Sequence, residues 1–303
     1  MSRILITGGA GFIGSNLEPE LIKRGHNVFI MDRVRLSRDK YYRGDIFEYI
    51  RMKDIFKAVQ PDIVYHFAGM ISRKECEETP QMAIMFNQIG TLNICNLSEE
   101  YGARLIYSGS SEEYGTTFGT EEITEKSSLG TATSIYSLTK RGAGEIIEYY
   151  EQFKELDAVI LRFFMLYGAG ERPTEYRSAI SRFVHYALND QPLPVHKNTS
   201  RGWCYITDAV DAIATMADKN RIKTGEIFNI GDNKDISTES LAKMIVDMCN
   251  SKSKINLIDV EPTIIPTKHA SYDKIFKTIG WKATTPIEDG LKKVIESQQK
   301  YRK

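Results

Sequence analysis

The chain has 303 residues and a mass of 34.5 kDa, with 40 basic residues balanced by 40 acidic ones. Its composition, 42% apolar and 26% charged, is that of a globular protein and excludes a disordered or collagen-like chain. The charge balance argues against a nucleic-acid platform, and no apolar run approaches the roughly 20 residues that span a bilayer. Neither a nucleic acid nor a membrane is therefore expected as a partner. The segment Met1–Thr7 runs into Gly8-Gly9 without the basic and apolar stretches of a signal peptide. Cys76, Cys95, Cys204 and Cys249 form no CxxC pair. They read as reduced thiols of a cytoplasmic protein, with no metal site expected.

In chain order, apolar patterning predicts strands at Arg3–Thr7, Asn27–Met31, Asp62–Phe67, Ala103–Tyr107 and Ala158–Phe163. Helices are expected between them at Phe12–Arg24, Tyr49–Val59, Pro80–Tyr101 and Ile135–Phe153. Thr79-Pro80 reads as a helix start, with Thr79 as N-cap and Pro80 at the first helical position. Pro19 conflicts with the first helix, where it removes a hydrogen bond at a cost on the order of 3 kcal/mol. Alternation of this kind predicts an α/β fold, a doubly wound parallel sheet with helices on both faces. After Gly168 the elements shorten and are joined by Pro-, Gly- and Asn-rich links. The expected division is a cofactor-binding domain over 1–167 and a smaller lobe over 168–303, mainly for substrate, with an interleaved boundary.

The stretch Thr7-Gly8-Gly9-Ala10-Gly11-Phe12-Ile13-Gly14 follows the first strand and opens a helix. Glycines at 8, 11 and 14 let the backbone turn tightly and approach a pyrophosphate, with the unpaired N–H groups of the helix start facing its charge. This makes the sheet Rossmann-type. Asp32 ends the second predicted strand, eighteen residues beyond Gly14. A carboxylate there accepts from the adenine ribose hydroxyls and repels a 2′-phosphate, favouring NAD over NADP. Arg33, the next residue, can stack on adenine or tolerate a phosphate.

Tyr-x-x-x-Lys occurs three times, at Tyr49/Lys53, Tyr136/Lys140 and Tyr150/Lys154, each pair one helical turn apart. Tyr49 comes too early to face the reactive end of a cofactor held by Gly8–Gly14, and Tyr150 lies four turns beyond Tyr136. Tyr136 opens the helix after the strand that ends at Gly109-Ser110-Ser111. Ligands of open α/β sheets bind at the carboxyl ends of the strands, where Gly8–Gly14, Phe67–Gly69, Ser110–Glu112 and Phe163–Gly168 all fall. Tyr136 and Lys140 are the expected acid–base pair.

These residues resemble the extended short-chain dehydrogenase/reductase family, the nucleotide-sugar epimerases and dehydratases. Further matches are Gly44-Asp45-Ile46, His66-Phe67-Ala68-Gly69, Asn87 with Gly90-Thr91, Tyr114-Gly115, Arg162-Phe163-Phe164, Tyr167-Gly168 and Arg201 through Asp208, with Gly280-Trp281 and Gly290-Leu291 near the end. The resemblance covers nearly the whole chain. It implies NAD as cofactor, contacted by Gly8, Gly11, Phe12, Ile13, Gly14, Asp32, Arg33, Asp45, Ile46, Phe67, Ala68, Gly69, Asn87, Ser108, Tyr136, Lys140 and Phe163. It implies a nucleotide-diphosphate sugar as substrate, oxidised transiently at C4, with contacts from Ser110, Ser111, Glu112, Met165 and Arg201. Lys140 and the nicotinamide ring depress the Tyr136 hydroxyl, which takes the O4 proton while Ser110 hydrogen-bonds the same oxygen.

Three departures stand out. Met165 replaces an asparagine that contacts substrate in the family, where a methionine otherwise reads as core filling. Thr131–Ile135 replaces a proline-rich approach to the tyrosine, and Thr267-Lys268-His269 stands where an arginine is usual. Arg201 remains to bind the diphosphate through its guanidinium fork. Ser111-Glu112 resembles the Asp-Glu or Ser-Glu pair of the family's dehydratases and decarboxylases. A carboxylate at 112 can remove the C5 proton once C4 is a ketone, although adjacent acids such as Glu112 and Glu113 usually read as a solvated loop. The alternatives are a net C4 oxidoreductase on a nucleotide-sugar, a reductase of hydroxysteroids or flavonoids, and a non-catalytic cofactor-binding regulator. The long apolar helices Pro80–Tyr101 and Ile135–Phe153 predict a homodimer built on a four-helix interface.

Overall fold

The computed structural model describes residues 1–117, 122–174, 176–261 and 263–300. It opens with β1 (Arg3–Thr7), α1 (Phe12–Lys23), β2 (Asn27–Asp32), β3 (Tyr41–Arg43), α2 (Tyr49–Val59), β4 (Ile63–His66), α3 (Arg73–Glu78), α4 (Pro80–Ile84) and α5 (Gly90–Glu100). A π-helical turn, Met85–Ile89, joins α4 to α5. Next come β5 (Arg104–Ser110), a 3-10 turn over Ser111–Thr117, α6 (Ile135–Lys154), β6 (Ala158–Phe163) and β7 (Leu166–Tyr167). Then follow α7 (Ala179–Leu188), β8 (Leu193–His196), β9 (Ser200–Gly202), β10 (Cys204–Tyr205), α8 (Ile206–Thr215) and β11 (Glu226–Ile230). The last elements are β12 (Asp235–Ser237), α9 (Thr238–Met248), β13 (Ile255–Ile258), β14 (Thr267–Lys268), α10 (Asp273–Ile279) and α11 (Ile287–Lys300).

Seven strands form the main sheet in the order β11-β6-β5-β4-β1-β2-β3, with parallel registers from β3 through β5. Every predicted strand and long helix is present within a few residues. The physical reason is the period-2 alternation of the strands. Leu5, Val64, Leu105 and Tyr107 enter one core with Met52, Ile55 and Phe56 of α2, Ile94 and Leu97 of α5, and Ala143 and Ile147 of α6. Their neighbours Ile4, Ile6 and Tyr65 are equally buried. Tyr65 donates its hydroxyl to the Ile213 carbonyl of α8 at 3.1 Å, and Arg24, after α1, pairs with Asp211 at 2.7 Å. Helices thus cover both faces of the sheet. Each large apolar side chain buried there contributes about 1.5–3 kcal/mol.

One local expectation holds despite a conflict, and another changes. Helix α1 continues through Pro19. Thr79 does not cap α4: its hydroxyl donates back to the Glu75 carbonyl at 3.0 Å, closing α3, while Pro80 does open α4.

The chain divides into two compact units. The first comprises Met1–Glu113, Ser134–Arg162 and Val210–Phe228, and the second Tyr114–Thr133, Phe163–Ala209 and Asn229–Lys303. In the second unit α7 packs against α9 and α11, and β9 lies between β12 and β14. Among the described residues no helix is long and apolar enough to cross a membrane.

Candidate functional site

The carboxyl ends of β1, β2, β4 and β5 carry Gly8, Asp32, Phe67 and Ser110 along one edge of the sheet. At Gly8, φ is +68°, and an added Cβ would lie 2.6 Å from the Ala68 nitrogen. A Cβ at Gly14 would lie 2.5 Å from the Gly9 Cα. The loop therefore turns as only glycine allows and lies flat against its neighbours. No side chain caps the N-terminus of α1, and its first turn holds no acid. Its free N–H groups and positive dipole end suit a pyrophosphate. These features fit a dinucleotide, which Gly8, Gly11, Phe12, Ile13 and Gly14 would hold.

Asp32 closes this loop from the side, accepting from the Ala10 N–H at 3.1 Å and the Val34 N–H at 3.2 Å. Arg33 stacks its guanidinium over the Phe86 ring, 5.6 Å from the centroid. Ile46 is buried where Gly90 lacks a side chain, and burial raises the Asp45 carboxyl above its ordinary value. Asn87 is engaged within the protein. Its amide nitrogen donates to the Met70 carbonyl and to Thr139 Oγ1, each at 3.0 Å, and its oxygen accepts from the Met70 N–H at 2.8 Å. Ala68 and Gly69 follow β4 beside it; a Cβ at Gly69 would fall 2.7 Å from Asn87 Oδ1.

Tyr136 lies in the first turn of α6, which Ser134 caps by accepting from the Ser137 N–H. Its phenol lies close enough to the Ser110 side chain to be affected by it. Burial holds the phenol above its ordinary value, the nearby Ser110 hydroxyl draws it down, and Glu112 and Glu113 push it up again. Lys140, one turn on, does not point at that oxygen. Its ammonium donates to the Ser108 carbonyl at 2.6 Å and to the Tyr107 hydroxyl at 3.2 Å. Ser108 in turn donates its hydroxyl to the His66 carbonyl at 2.9 Å. Burial lowers Lys140 to about 8, against the opposing pull of Glu113. The other two Tyr-x-x-x-Lys pairs are used elsewhere: Lys53 pairs with Glu100, and Tyr150 bonds Asn96.

Glu112 and Glu113 do not form a solvated loop. Glu112 and Glu113 are only 8% and 1% exposed, and Ser111 beside them is buried. The Glu112 N–H donates to Ser110 Oγ at 3.2 Å. Glu113 accepts from the Ser110 N–H at 2.7 Å and from Arg162 Nε at 2.9 Å. Sequence reasoning missed Glu113 because its partner lies on β6; the buried arginine of that strand was the available signal.

In the second unit, Arg201 turns its guanidinium onto the carbonyls of Ser200, Pro266 and Ile265 at 2.6, 2.6 and 2.8 Å. Lys268, buried on β14, pairs in parallel register with Arg201 on β9. Two cations thus share one face of this small sheet, and Lys268 joins the candidates. Met165 is half-buried, with its carbonyl accepting from the Cys204 N–H at 3.0 Å; Phe163, at the end of β6, is half-buried too.

The sheet and its glycine loop define a dinucleotide-binding α/β protein. Residues 4–231 match the model of the NAD dependent epimerase/dehydratase family, and the chain belongs to that family as an NAD-dependent enzyme. A UDP-N-acetyl-alpha-D-glucosaminuronate decarboxylase of Bacillus cytotoxicus is 31% identical over 97% of each chain. Protein CapI of Staphylococcus aureus is 28% identical over 99% of each. Among solved structures, the UDP-glucose 4-epimerase of Thermotoga maritima, crystallised with UDP-glucose, shares the fold with a TM-score of 0.91. It is 24% identical over 99% of each chain.

Proposed function

We propose that the protein oxidises a UDP-sugar at C4 and then carries out a proton transfer at C5, with a UDP-hexuronate as the first substrate to try. The observation that carries this reading is the turn Ser110–Glu112, whose Ser110 side chain lies beside the buried Tyr136 phenol and which buries a carboxylate two residues away. Bound NAD supplies the hydride acceptor and donor, and its positive ring lowers the nearby phenol. Tyr136 takes the proton from the C4 hydroxyl, and Ser110 holds the same oxygen. Lys140 ties α6 to the Ser108 carbonyl, so the base is carried on a fixed element.

A ketone at C4 makes the next bond labile. In a hexuronate the C5–C6 electrons move toward the ketone as carbon dioxide leaves, and Glu112 delivers a proton to C5. In a neutral hexose the same carboxylate takes the C5 proton and passes it to the C6 hydroxyl, which leaves as water as the C5–C6 double bond forms. The 31% identical relative, named as a decarboxylase, supports trying the hexuronate first. Arg201 and Lys268 are proposed to bind the diphosphate, which requires Arg201 to exchange its carbonyl partners for phosphate oxygens. Cofactor binding by 1–167, substrate binding mainly by 168–303, homodimer formation and a cytoplasmic setting belong to the same proposal.

The test is turnover of UDP-glucuronic acid, UDP-N-acetylglucosaminuronic acid and UDP-glucose with NAD in heavy water, with products read by mass and NMR. Deuterium at C5 supports the proposal. Product carrying none at C5 is the result of a simple 4-epimerase or a net C4 oxidoreductase, and it overturns the role of Glu112.

A further inference from the structure

Glu113 is a buried acid for which the proton transfers above have no use, and three elements converge on it. Arg162 of β6 binds its Oε2, the Ser110 N–H binds its Oε1, and Arg141 of α6 donates to its main-chain carbonyl at 2.6 and 3.2 Å. Gly109 leaves the space that the carboxylate fills, since a Cβ there would lie 2.7 Å from Oε1. The carboxylate thus holds the backbone of Ser110, whose side chain meets Tyr136.

Its charge also reaches the pair on α6. The groups that face Lys140 are the Glu113 carboxylate, the Cys76 thiol, the Tyr107 hydroxyl and His66. Those that face Glu113 are Arg162, Lys140, Tyr107 and Tyr136, with Arg141 on its carbonyl. An acid paired to one cation and near a second compensates both when all are withdrawn from water.

We propose that Glu113 is a positioning residue for proton transfer at Tyr136: held by Arg162, its carboxylate pins the Ser110 turn against the phenol and supplies the negative charge that faces Lys140. This rests on the reading of Tyr136 as the base. Replacement by glutamine separates the two parts, because the amide oxygen can still accept from Ser110 while the charge is gone.

The charge is read by NMR titration of protein carrying 13C at the lysine ε-carbon, with Lys140 identified by its loss in Lys140→Arg. Lys140 should titrate near 8 in the wild type. In Glu113→Gln the midpoint should fall by on the order of one pH unit. The double variant Glu113→Gln/Arg162→Gln, which leaves no unpaired guanidinium at the site, should also show a fall if the single variant does not fold. Glu112→Gln should leave the midpoint in place. An unchanged midpoint in the Glu113 variants, or an equal fall in Glu112→Gln, would overturn the electrostatic part.

The pinning is read by hydrogen exchange at the Ser110 amide. Exchange should stay slow in Glu113→Gln and accelerate about tenfold or more in Glu113→Val. No acceleration in the valine variant overturns the positioning part. Full turnover in Tyr136→Phe would instead remove the reading of the base, leaving both of these measurements as they stand.

Discussion

His66 donates from Nε2 to the Thr91 hydroxyl, 3.1 Å away, because the single proton of Thr91 is committed to the Asn87 carbonyl at 2.6 Å. Nδ1 of the same ring then accepts from Thr7 Oγ1 at 2.8 Å. Thr91 also lies near the Tyr107 hydroxyl that Lys140 holds. A neutral imidazole therefore links the residue before the glycine loop to the elements that carry Lys140.

Burial, with Lys140 near, lowers His66 to about 3. A histidine whose folded value lies below its unfolded 6.5 contributes stability that is present above pH 6.5 and lost as pH falls toward 3. The expected loss between pH 7 and pH 5 is about 2 kcal/mol. Urea unfolding of the wild type and of His66→Gln at both pH values checks this: the gap between them should narrow at pH 5. A gap independent of pH would contradict a neutral buried ring.

Tyr136→Phe removes the hydroxyl proposed to take the C4 proton. Turnover should fall by about 10²-fold or more. NAD affinity, measured by calorimetry, should change little, because the phenol contributes nothing to the glycine loop.

Glu112→Gln keeps the shape of the buried side chain and removes its proton chemistry. The variant should still reduce bound NAD on addition of a UDP-hexuronate, seen as absorbance at 340 nm, while the rate of deuterium entry at C5 drops by about tenfold or more. Retention of the wild-type rate would assign the C5 proton to another group.

Gly14→Ala places a methyl group 2.5 Å from the Gly9 Cα, a backbone atom that cannot swing aside. NAD affinity should weaken by about tenfold or more, since the loop must open to admit it. With Asp32 at the end of β2, NADP should bind at least about tenfold more weakly than NAD, and Asp32→Ala should shrink that ratio.

Helix α6 leaves Leu138, Tyr149 and Phe153 at 50%, 52% and 62% exposure, next to exposed Met82, Met85 and Ile89 on the segment it packs against. An apolar face of this kind fits a second copy of the chain across a two-fold axis. Light scattering at micromolar concentration should give twice the chain mass, and Phe153→Glu with Tyr149→Glu should shift it toward the single chain. A monomeric wild type would refute the dimer.

The main sheet was legible because its strands are short, apolar and regularly spaced, and because the glycine loop marks where β1 ends. Tyr136 and Lys140 were legible for a related reason, the placement of a helix start after a strand end. Three residues of β3 carry too little pattern to read. The entry of β11 into the sheet beside β6 depends on chain that returns after more than sixty residues. The state of Glu113 was hidden because its partner Arg162 is 49 residues away, and two adjacent acids look alike whether they meet water or a buried guanidinium. The cation pair of the second unit was half legible: Arg201 was named, whereas the parallel register that aligns Lys268 with it is a property of pairing, not of spacing.

The position of β11 bears on how the polypeptide emerges from synthesis. Until Glu226–Ile230 has been made, β6 has no partner on its outer side, and Arg104, buried in the finished unit, lacks the Ile222 carbonyl to which it donates at 2.8 Å. A nascent chain stalled near residue 167 would present an open strand edge and a guanidinium that, although paired with Asp157, lacks its carbonyl acceptor. Such a fragment is a template for intermolecular pairing. Ribosome-released pieces of that length should collect in inclusion bodies, whereas chains extended through β11 should not.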